Sequence, residues 1–68
     1  MNDNVTRRLD GKYEERLDEI WFAEYAENHD SGLWGVEIFK HAVAEWRSTD
    51  YTSLEEARQA AHAFYDQL

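Results

Sequence analysis

The chain has 68 residues and a mass of 8.1 kDa, with 15 Asp and Glu against 7 Lys and Arg, no cysteine and no proline. This length predicts one domain, residues 1–68, and the lack of cysteine excludes disulfide frameworks and thiolate zinc sites. Aromatic residues make up 15% of the chain, and each can bury about 150–250 Å², so a small core is expected despite a mean hydropathy of -0.86.

The net charge of -8 lies in the later part of the chain. Residues 1–16 contain equal numbers of acidic and basic residues, whereas residues 17–68 contain 11 acidic residues against Lys40, Arg47 and Arg58. Nucleic acids and anionic membranes attract cations, so we expect neither as a direct partner. The charge favours a basic protein surface.

The N-terminus has no apolar core of a signal peptide, and no stretch reaches the roughly 18 apolar residues of a membrane span. We therefore expect a cytoplasmic protein. Residues 1–8 precede the regular apolar pattern and are expected to fray.

The segment from about Thr6 to Glu27 has the periodicity of an amphipathic helix. Gly11 weakens the start of this helix. Asn28 to Gly32 is a cluster of turn-favouring residues and predicts the first turn. The apolar residues of the helical face are Leu9, Tyr13, Leu17, Ile20, Trp21 and Tyr25.

Residues from about 33 to 47 fit two kinds of secondary structure. In a helix, Val36, Phe39 and Trp46 share one face; in strands, apolar residues alternate with polar ones such as Glu37 and His41. We prefer the helix, because strands need a pairing partner and neither flanking segment is predicted to supply one. A hairpin at about 34–46 is the alternative.

The C-terminal segment carries the clearest helix signal. A hydroxyl residue, Thr52 or Ser53, is followed three residues later by a glutamate, as in a capping box. Apolar residues then recur on one face from Leu54 to Leu68, which predicts a helix over residues 53–67. The predicted fold class is therefore all-α, a compact three-helix bundle; a small α+β domain with the hairpin is the alternative.

Several large side chains are predicted to share one core. Glu24 falls within the apolar stripe of the first segment, where a buried carboxylate needs a cation; we expect a salt bridge with Arg47 or Arg58. On the opposite side of that helix, Phe22 is expected to be exposed among carboxylates. The predicted core residues are Leu17, Trp21, Phe39, Trp46 and Phe64.

Histidine and glutamate spacing suggests one arrangement for a metal. In a helix, Glu37, His41 and Glu45 stack on one face, and His62 with Asp66 would complete a set of ligands. Such pairs are common on solvated helices, so we expect no metal and no cofactor. The chain has no phosphate-binding loop or nucleophile motif and little room for a pocket, so neither catalytic residues nor enzymatic activity is expected.

These observations favour a small acidic protein-interaction module that occupies a basic surface of a partner protein. The most specific form of this hypothesis is a nucleic-acid-mimicking inhibitor, by analogy of size and charge with phage-type inhibitors of restriction and CRISPR systems. The alternatives are a structural module that self-associates into a homo-oligomer and a small His/Glu metal-binding protein. The residues predicted to bind the partner are Glu15, Asp18, Glu19, Phe22, Glu37, Glu45, Glu55 and Glu56.

Overall fold

The structure is a computed structural model that describes residues 5–68. Within this range the chain forms five β-strands followed by one α-helix. Each strand pairs antiparallel with the next, in the order β1-β2-β3-β4-β5, and the helix packs against β3, β4 and β5. The elements are β1 (Val5–Arg7), β2 (Tyr13–Arg16), β3 (Trp21–Glu27), β4 (Trp34–Lys40), β5 (Val43–Tyr51) and α1 (Leu54–Asp66).

The predicted all-α three-helix bundle is wrong, because the segment from Thr6 to Glu27 forms three strands. Gly11 has a φ of 90° in the β1–β2 turn, a conformation that glycine adopts without steric cost. Asp18 organises the β2–β3 turn by accepting hydrogen bonds from the backbone N–H groups of Ile20 and Trp21. These two turns place the strands side by side, and their pairing overrides the helical periodicity.

Residues 34–46 form the hairpin that was the alternative interpretation of this segment. Lys40 pairs with Val43, so the turn consists of two residues, His41 and Ala42, with φ of 51° and 67°. Two left-handed residues are the feature of a type I′ turn, whose twist matches that of paired strands. This hairpin pairs with β3, which the prediction of a first helix had not offered as a partner.

The predicted C-terminal helix is confirmed. Ser53 is its N-cap, and the Ser53 hydroxyl accepts a hydrogen bond from the backbone N–H of Glu56 at 3.1 Å. The Glu56 carboxylate in turn accepts hydrogen bonds from the backbone N–H and the hydroxyl of Thr52, which lower the pKa of Glu56. This reciprocal cap holds the chain where it leaves the sheet.

The core lies between α1 and the face of the sheet that α1 covers. Leu17, Trp21, Trp46 and Phe64 pack against it, as predicted. Phe39 does not, because it follows the buried Ile38, and successive side chains of a strand point to opposite faces. The buried core residues are Ala23, Tyr25, Val36, Ile38, Ala57 and Ala61.

The edge strand β5 is irregular. Its register with β4 shifts between Trp34 and Val36 and again between Ile38 and Phe39, so β5 carries two extra residues. Bulges of this kind make this edge a poor template for a further strand.

Of the N-terminal residues predicted to fray, residues 1–4 lie outside the described range, and Val5–Arg7 form β1. Between residues 5 and 68, no helix is long and apolar enough to cross a membrane. The single helix found there, α1, has 13 residues, whereas a membrane span needs about 20.

Candidate functional site

The sheet has one face that α1 does not cover, which we call the open face. Register between the strands places its side chains in three cross-strand rows, because alternate residues of each strand share a face. The rows consist of Arg16, Phe22, Phe39 and Ala44; of Glu14, Glu24, Glu37 and Arg47; and of Ala26 with Gly35.

Three glutamates lie side by side in the middle row, and we call them the glutamate row. Glu14 is directly opposite Glu24, and Glu24 is directly opposite Glu37. Like charges in such positions repel each other. An arginine compensates at each side: Arg8 forms a salt bridge with Glu24 and lies 4.0 Å from Glu14, and Arg47 donates to Glu37 at 3.0 Å.

The salt bridge expected for Glu24 is therefore present, but its partner is Arg8 instead of Arg47 or Arg58. Helical periodicity predicts Glu24 within an apolar stripe, whereas in the sheet the Glu24 side chain is 19% exposed on the open face. Arg8 is the partner because the β1–β2 turn brings it to the same face of the sheet as Glu24.

The two arginines are held to different extents. The Arg47 side chain is 78% exposed, whereas that of Arg8 is 37% exposed. An ion pair as open to water as Arg47 with Glu37 contributes little to stability. Of these two arginines, Arg47 is therefore the more easily displaced from its carboxylate.

A depression of about 390 Å³ lies beside the glutamate row. It exists because Ala26 and Gly35 are directly opposite each other and neither side chain fills the space above the sheet. Its other lining residues include Lys12, Glu24, Glu37, Arg47 and Thr49. The lining therefore combines both charge signs with small side chains.

On the other side of the glutamate row, Phe22 and Phe39 form a stacked pair. The two residues are directly opposite each other on β3 and β4; their ring centroids are 4.9 Å apart and their planes differ by 6°. Both side chains are partly exposed. The pair is an aromatic platform that the core does not use.

A second cluster lies on the covered face, around Glu15. This carboxylate is only 4% exposed and accepts hydrogen bonds from the hydroxyl of Tyr25 at 2.6 Å, Arg58 Nη2 at 3.1 Å and His62 Nε2 at 2.9 Å. A buried carboxylate is tolerated when donors surround it in this way. The cluster joins β2 and β3 to α1.

The protonation states within this cluster follow from its geometry. Burial on its own would raise the pKa of Glu15, but hydrogen bonds from Arg58, Tyr25 and His62 outweigh burial and lower it. Burial and the neighbouring Glu15 carboxylate raise the pKa of the Tyr25 hydroxyl far above its ordinary value. Since Tyr25 has no exposed surface, the cluster is built to hold the helix on the sheet and offers a substrate no access to this hydroxyl.

The two ends of the sheet differ in the elements they contain. The loop end contains residues 8–12, residues 28–33 and the start of α1; the turn end contains residues 17–20, residues 41–42 and the end of α1. This placement follows from the alternating direction of consecutive antiparallel strands.

The eight residues predicted to bind a partner do not share one surface. Glu15 is buried, and Phe22 and Glu37 lie on the open face. Glu55 and Glu56 are in the first turn of α1, at the loop end. Those at the turn end are Asp18 and Glu19 in the β2–β3 turn and Glu45 near the start of β5.

Six exposed carboxylates have neither an ion pair nor a side-chain hydrogen bond within the described range. They divide equally between the ends: Glu27, Asp30 and Asp50 at the loop end, and Glu19, Glu45 and Asp66 at the turn end. Glu27, Asp30 and Asp50 were not among the predicted partner-binding residues. Their common signal is position, since Glu27 and Asp50 lie at the ends of strands and Asp30 lies in the loop between β3 and β4.

Asp18 differs from these carboxylates because it is engaged within the fold. It accepts a hydrogen bond from the Tyr65 hydroxyl, in addition to those from the backbone of the β2–β3 turn. The hydrogen bond from Tyr65, followed by those from Ile20 and Trp21, lowers the pKa of Asp18. Asp18 therefore has a role in holding α1 against the turn end.

The metal arrangement considered in the sequence analysis depended on helical spacing. Glu37 lies in β4, His41 in the two-residue turn and Glu45 in β5, so the i, i+4 stack is not formed. Across residues 5–68, no group of three or more His, Cys, Asp or Glu side chains is arranged to hold a metal ion. His62 instead contacts Glu15.

Comparison with known proteins leaves the geometry as the basis for assigning a function. No protein-family model, no curated protein and no solved structure matches the chain. Any function proposed for it has to follow from the open face, the Glu15 cluster and the two acidic ends.

Proposed function

We propose that the protein is a small acidic protein-interaction module that occupies a basic surface of a partner protein in the cytoplasm. The observation that carries the proposal is the presence, within residues 5–68, of six exposed carboxylates that have neither an ion pair nor a side-chain hydrogen bond. Charge that is not neutralised internally produces a field outside the molecule, and that field accelerates and orients the approach of a positive surface.

The arrangement of these carboxylates also supports binding. The ends that carry them are joined by strands of up to nine residues, and a strand of seven residues spans about 23 Å. Two acidic groups at a fixed separation can contact two separate cationic positions on a partner, which a single patch cannot do. A nucleic-acid duplex likewise presents its phosphates to a protein at separate positions, on two strands.

The specific form of the proposal is therefore a nucleic-acid-mimicking inhibitor, in which the carboxylates of the two ends take the positions of phosphates. In this form the module and a nucleic acid compete for the same basic surface. The module itself binds neither nucleic acid nor membrane and catalyses no reaction.

The test uses two double charge reversals, one at each end. The loop-end variant is Glu27→Lys with Asp30→Lys, and the turn-end variant is Glu19→Lys with Asp66→Lys. Immobilised wild-type protein and both variants are incubated with an extract of the native host at about 0.05 M salt, where the Debye length exceeds 10 Å. Proteins that bind wild type are then eluted with duplex DNA.

We expect basic proteins that bind wild type, are eluted by DNA and are lost from at least one variant. Circular dichroism must show that the variants keep the wild-type fold, which we expect because all four positions are exposed. If both folded variants retain the same proteins as wild type, the acidic ends are not the interface and the proposal is wrong.

A further inference from the structure

We propose that two copies of the chain associate through their open faces, related by a two-fold axis that runs parallel to the glutamate row, midway between the two sheets. This inference goes beyond the proposed function and does not depend on it, because the acidic ends lie outside the open face. Three features carry it: a raised part and a recessed part placed symmetrically about the middle row, a balance of charge, and an area sufficient for a specific contact.

The open face is raised on one side of the glutamate row and recessed on the other. On both β3 and β4, an aromatic residue and a small residue lie two positions from the glutamate, on opposite sides of it, which is about 7 Å. The stacked rings form the raised side, and the depression of about 390 Å³ forms the recessed side. In chain order the residues are Phe22, Glu24 and Ala26 on β3, and Gly35, Glu37 and Phe39 on β4.

A two-fold axis parallel to the row brings the raised part of each copy onto the recessed part of the other. The rotation reverses the strand direction of the second copy but keeps β3 over β3 and β4 over β4. Phe22 of each copy then lies over Ala26 of the other copy. Phe39 likewise lies over Gly35. The same contact is made twice, as an interface with two-fold symmetry requires.

The depression is suited to receive the rings. Its volume of about 390 Å³ lies within the range of pockets that enclose ligand-sized groups, about 300–1,000 Å³. Lys12 and Arg47 are among its lining residues, and a cation beside an aromatic face makes a favourable contact. Phe22 and Phe39 are partly exposed in the single chain, so their insertion also removes apolar surface from water.

Charge is balanced on the open face, in contrast to the rest of the molecule. Among residues 5–68, four basic residues lie on this face with the three carboxylates of the glutamate row, whereas the whole chain has a net charge of -8. Two copies therefore meet here without an excess of negative charge, which contact between acidic ends would not allow. The basic residues are Arg8, Lys12, Arg16 and Arg47.

The two glutamate rows face each other across the axis. Each carboxylate of the row has an ion pair within its own copy, Glu14 and Glu24 with Arg8 and Glu37 with Arg47. The contact therefore covers carboxylates that are already paired, and covering an unpaired charge would be far more costly.

The area of the open face is at the lower end of the range for specific interfaces. The five strands contain 30 residues, and a strand residue covers about 3.3 Å by about 4.8 Å of a sheet, so the face measures about 480 Å². Two faces together bury about 1,000 Å², which is the minimum for a specific interface. We therefore expect a dimer with a Kd of about 10–100 μM.

The experiment is sedimentation velocity of the full chain from about 5 μM to about 1 mM, at about 0.15 M salt, where a Debye length of about 8 Å screens the repulsion between copies. We expect the sedimentation coefficient to rise from the monomer value to the dimer value over this range. In the isotope-labelled chain, the amide signals of Phe22, Ala26, Gly35 and Phe39 should shift with concentration.

Two variants and their mixture test the arrangement. Phe22→Ala removes a ring and Ala26→Phe fills the depression, so each variant alone should associate at least about tenfold more weakly than wild type. An equimolar mixture should recover the affinity to within about threefold. In the mixed dimer one ring still lies over Ala26, and at the other contact the introduced ring faces the position from which Phe22 was removed.

The matched control is Val43→Ala, which shortens an exposed apolar side chain away from the open face. Val43 is 59% exposed and pairs with Lys40, whose ammonium lies over the Trp21 ring on the covered side of the sheet. This variant should associate within about twofold of wild type. The dispersed amide spectrum of each variant, recorded at low concentration, establishes that it is folded.

The inference is overturned if wild type sediments as a monomer at about 1 mM, a result that requires no variant. It is also overturned if folded Phe22→Ala associates as wild type does, if Val43→Ala weakens association as much as Phe22→Ala, or if the mixture of folded variants associates no better than either variant alone.

Discussion

At the scale of single residues, Glu14 and Glu15 show how strand geometry separates two identical side chains. Glu14 lies on the open face opposite another glutamate. Glu15, the next residue, is 4% exposed and is surrounded by donors from β3 and α1. Neighbouring residues of a strand point to opposite faces, so one carboxylate faces water and the other becomes part of the connection between helix and sheet.

We expect Glu15→Gln to lower the free energy of unfolding by about 3 kcal/mol at neutral pH, because it leaves the largely buried Arg58 beside an uncharged amide. Urea unfolding followed by tryptophan fluorescence measures this loss. Glu14→Gln is the matched control and should change stability little or raise it, since it removes a charge from the glutamate row. Equal losses in the two variants would contradict the role assigned to Glu15.

The same carboxylate predicts a dependence on pH. The pKa of Glu15 is lowered in the folded state, so its stabilisation is present above the ordinary pKa of a glutamate and is lost as the pH falls through the folded-state value. Stability measured between about pH 7 and pH 3 should therefore fall more steeply in wild type than in Glu15→Gln. Parallel curves for the two proteins would show that Glu15 does not titrate with unfolding.

At the scale of elements, the turns decide where strands and helix begin. The β4–β5 turn holds two non-glycine residues, His41 and Ala42, in the left-handed region. A side chain there costs roughly 1–2 kcal/mol. The sequence accepts this strain because a two-residue turn of the required twist keeps β4 and β5 in register.

Replacing Ala42 by glycine should therefore raise the free energy of unfolding by about 1 kcal/mol, because glycine adopts a positive φ without the steric cost. Chemical denaturation measures the gain. Ala44→Gly, two residues later in β5, should instead lower stability by about 0.5–1 kcal/mol, since glycine weakens a strand. A loss of stability in both variants would mean that the turn is not strained at Ala42.

The start of α1 depends on Ser53. Ser53→Ala should lower stability by about 1 kcal/mol, because the backbone N–H of Glu56 loses its acceptor, whereas Ser53→Gly should cost only a few tenths of a kcal/mol. Thermal unfolding of the two variants provides the comparison. An unchanged melting temperature in Ser53→Ala would place the helix start elsewhere.

At the scale of the whole molecule, charge and apolar surface are segregated. One face of the sheet is covered by α1, the open face combines arginines with glutamates, and the ends carry the carboxylates that have no ion pair within the described part of the chain. Self-repulsion among the carboxylates opposes the compact state. This repulsion therefore lowers the stability of the fold, and the same carboxylates produce the electrostatic field on which the proposed function depends.

This cost predicts that salt stabilises the protein. Raising the salt concentration from about 0.01 M to about 0.15 M shortens the Debye length from about 30 Å to about 8 Å, which should raise the melting temperature by a few degrees. The variant with Glu27→Lys and Asp30→Lys changes the net charge from -8 to -4 and should respond less. A melting temperature that falls with salt would show that ion pairs outweigh repulsion.

The sequence by itself determined α1, the turn at residues 28–32 and the excess of negative charge. Each is a local or additive property. Ser53 and Glu56 cap the helix within one turn, and the turn-favouring residues end regular structure at their own positions. The net charge is the sum of the charged residues and does not depend on the fold. The β1–β2 turn also has a local signal, because Asp10-Gly11 is a hairpin signal. Gly11 was interpreted only as a weakness at the start of a helix.

Only the tertiary structure decided that the first two segments are strands. Tyr13, Leu17, Trp21 and Tyr25 are four residues apart, and a step of four returns to the same face both in a helix and in a strand. The local pattern therefore could not separate the two structures. A step of three does separate them, and it accounts for Phe39, which shares a helical face with Val36 but takes the opposite face of a strand.

The candidate site depended on tertiary structure for the same reason. The glutamate row joins residues from three strands, and the donors of Glu15 include Arg58, which is 43 positions away along the chain. Such contacts form only when pairing between strands brings distant residues together. Composition predicted an acidic surface, but non-local strand pairing and the packing of α1 decided which carboxylates are buried, which face each other and which are exposed.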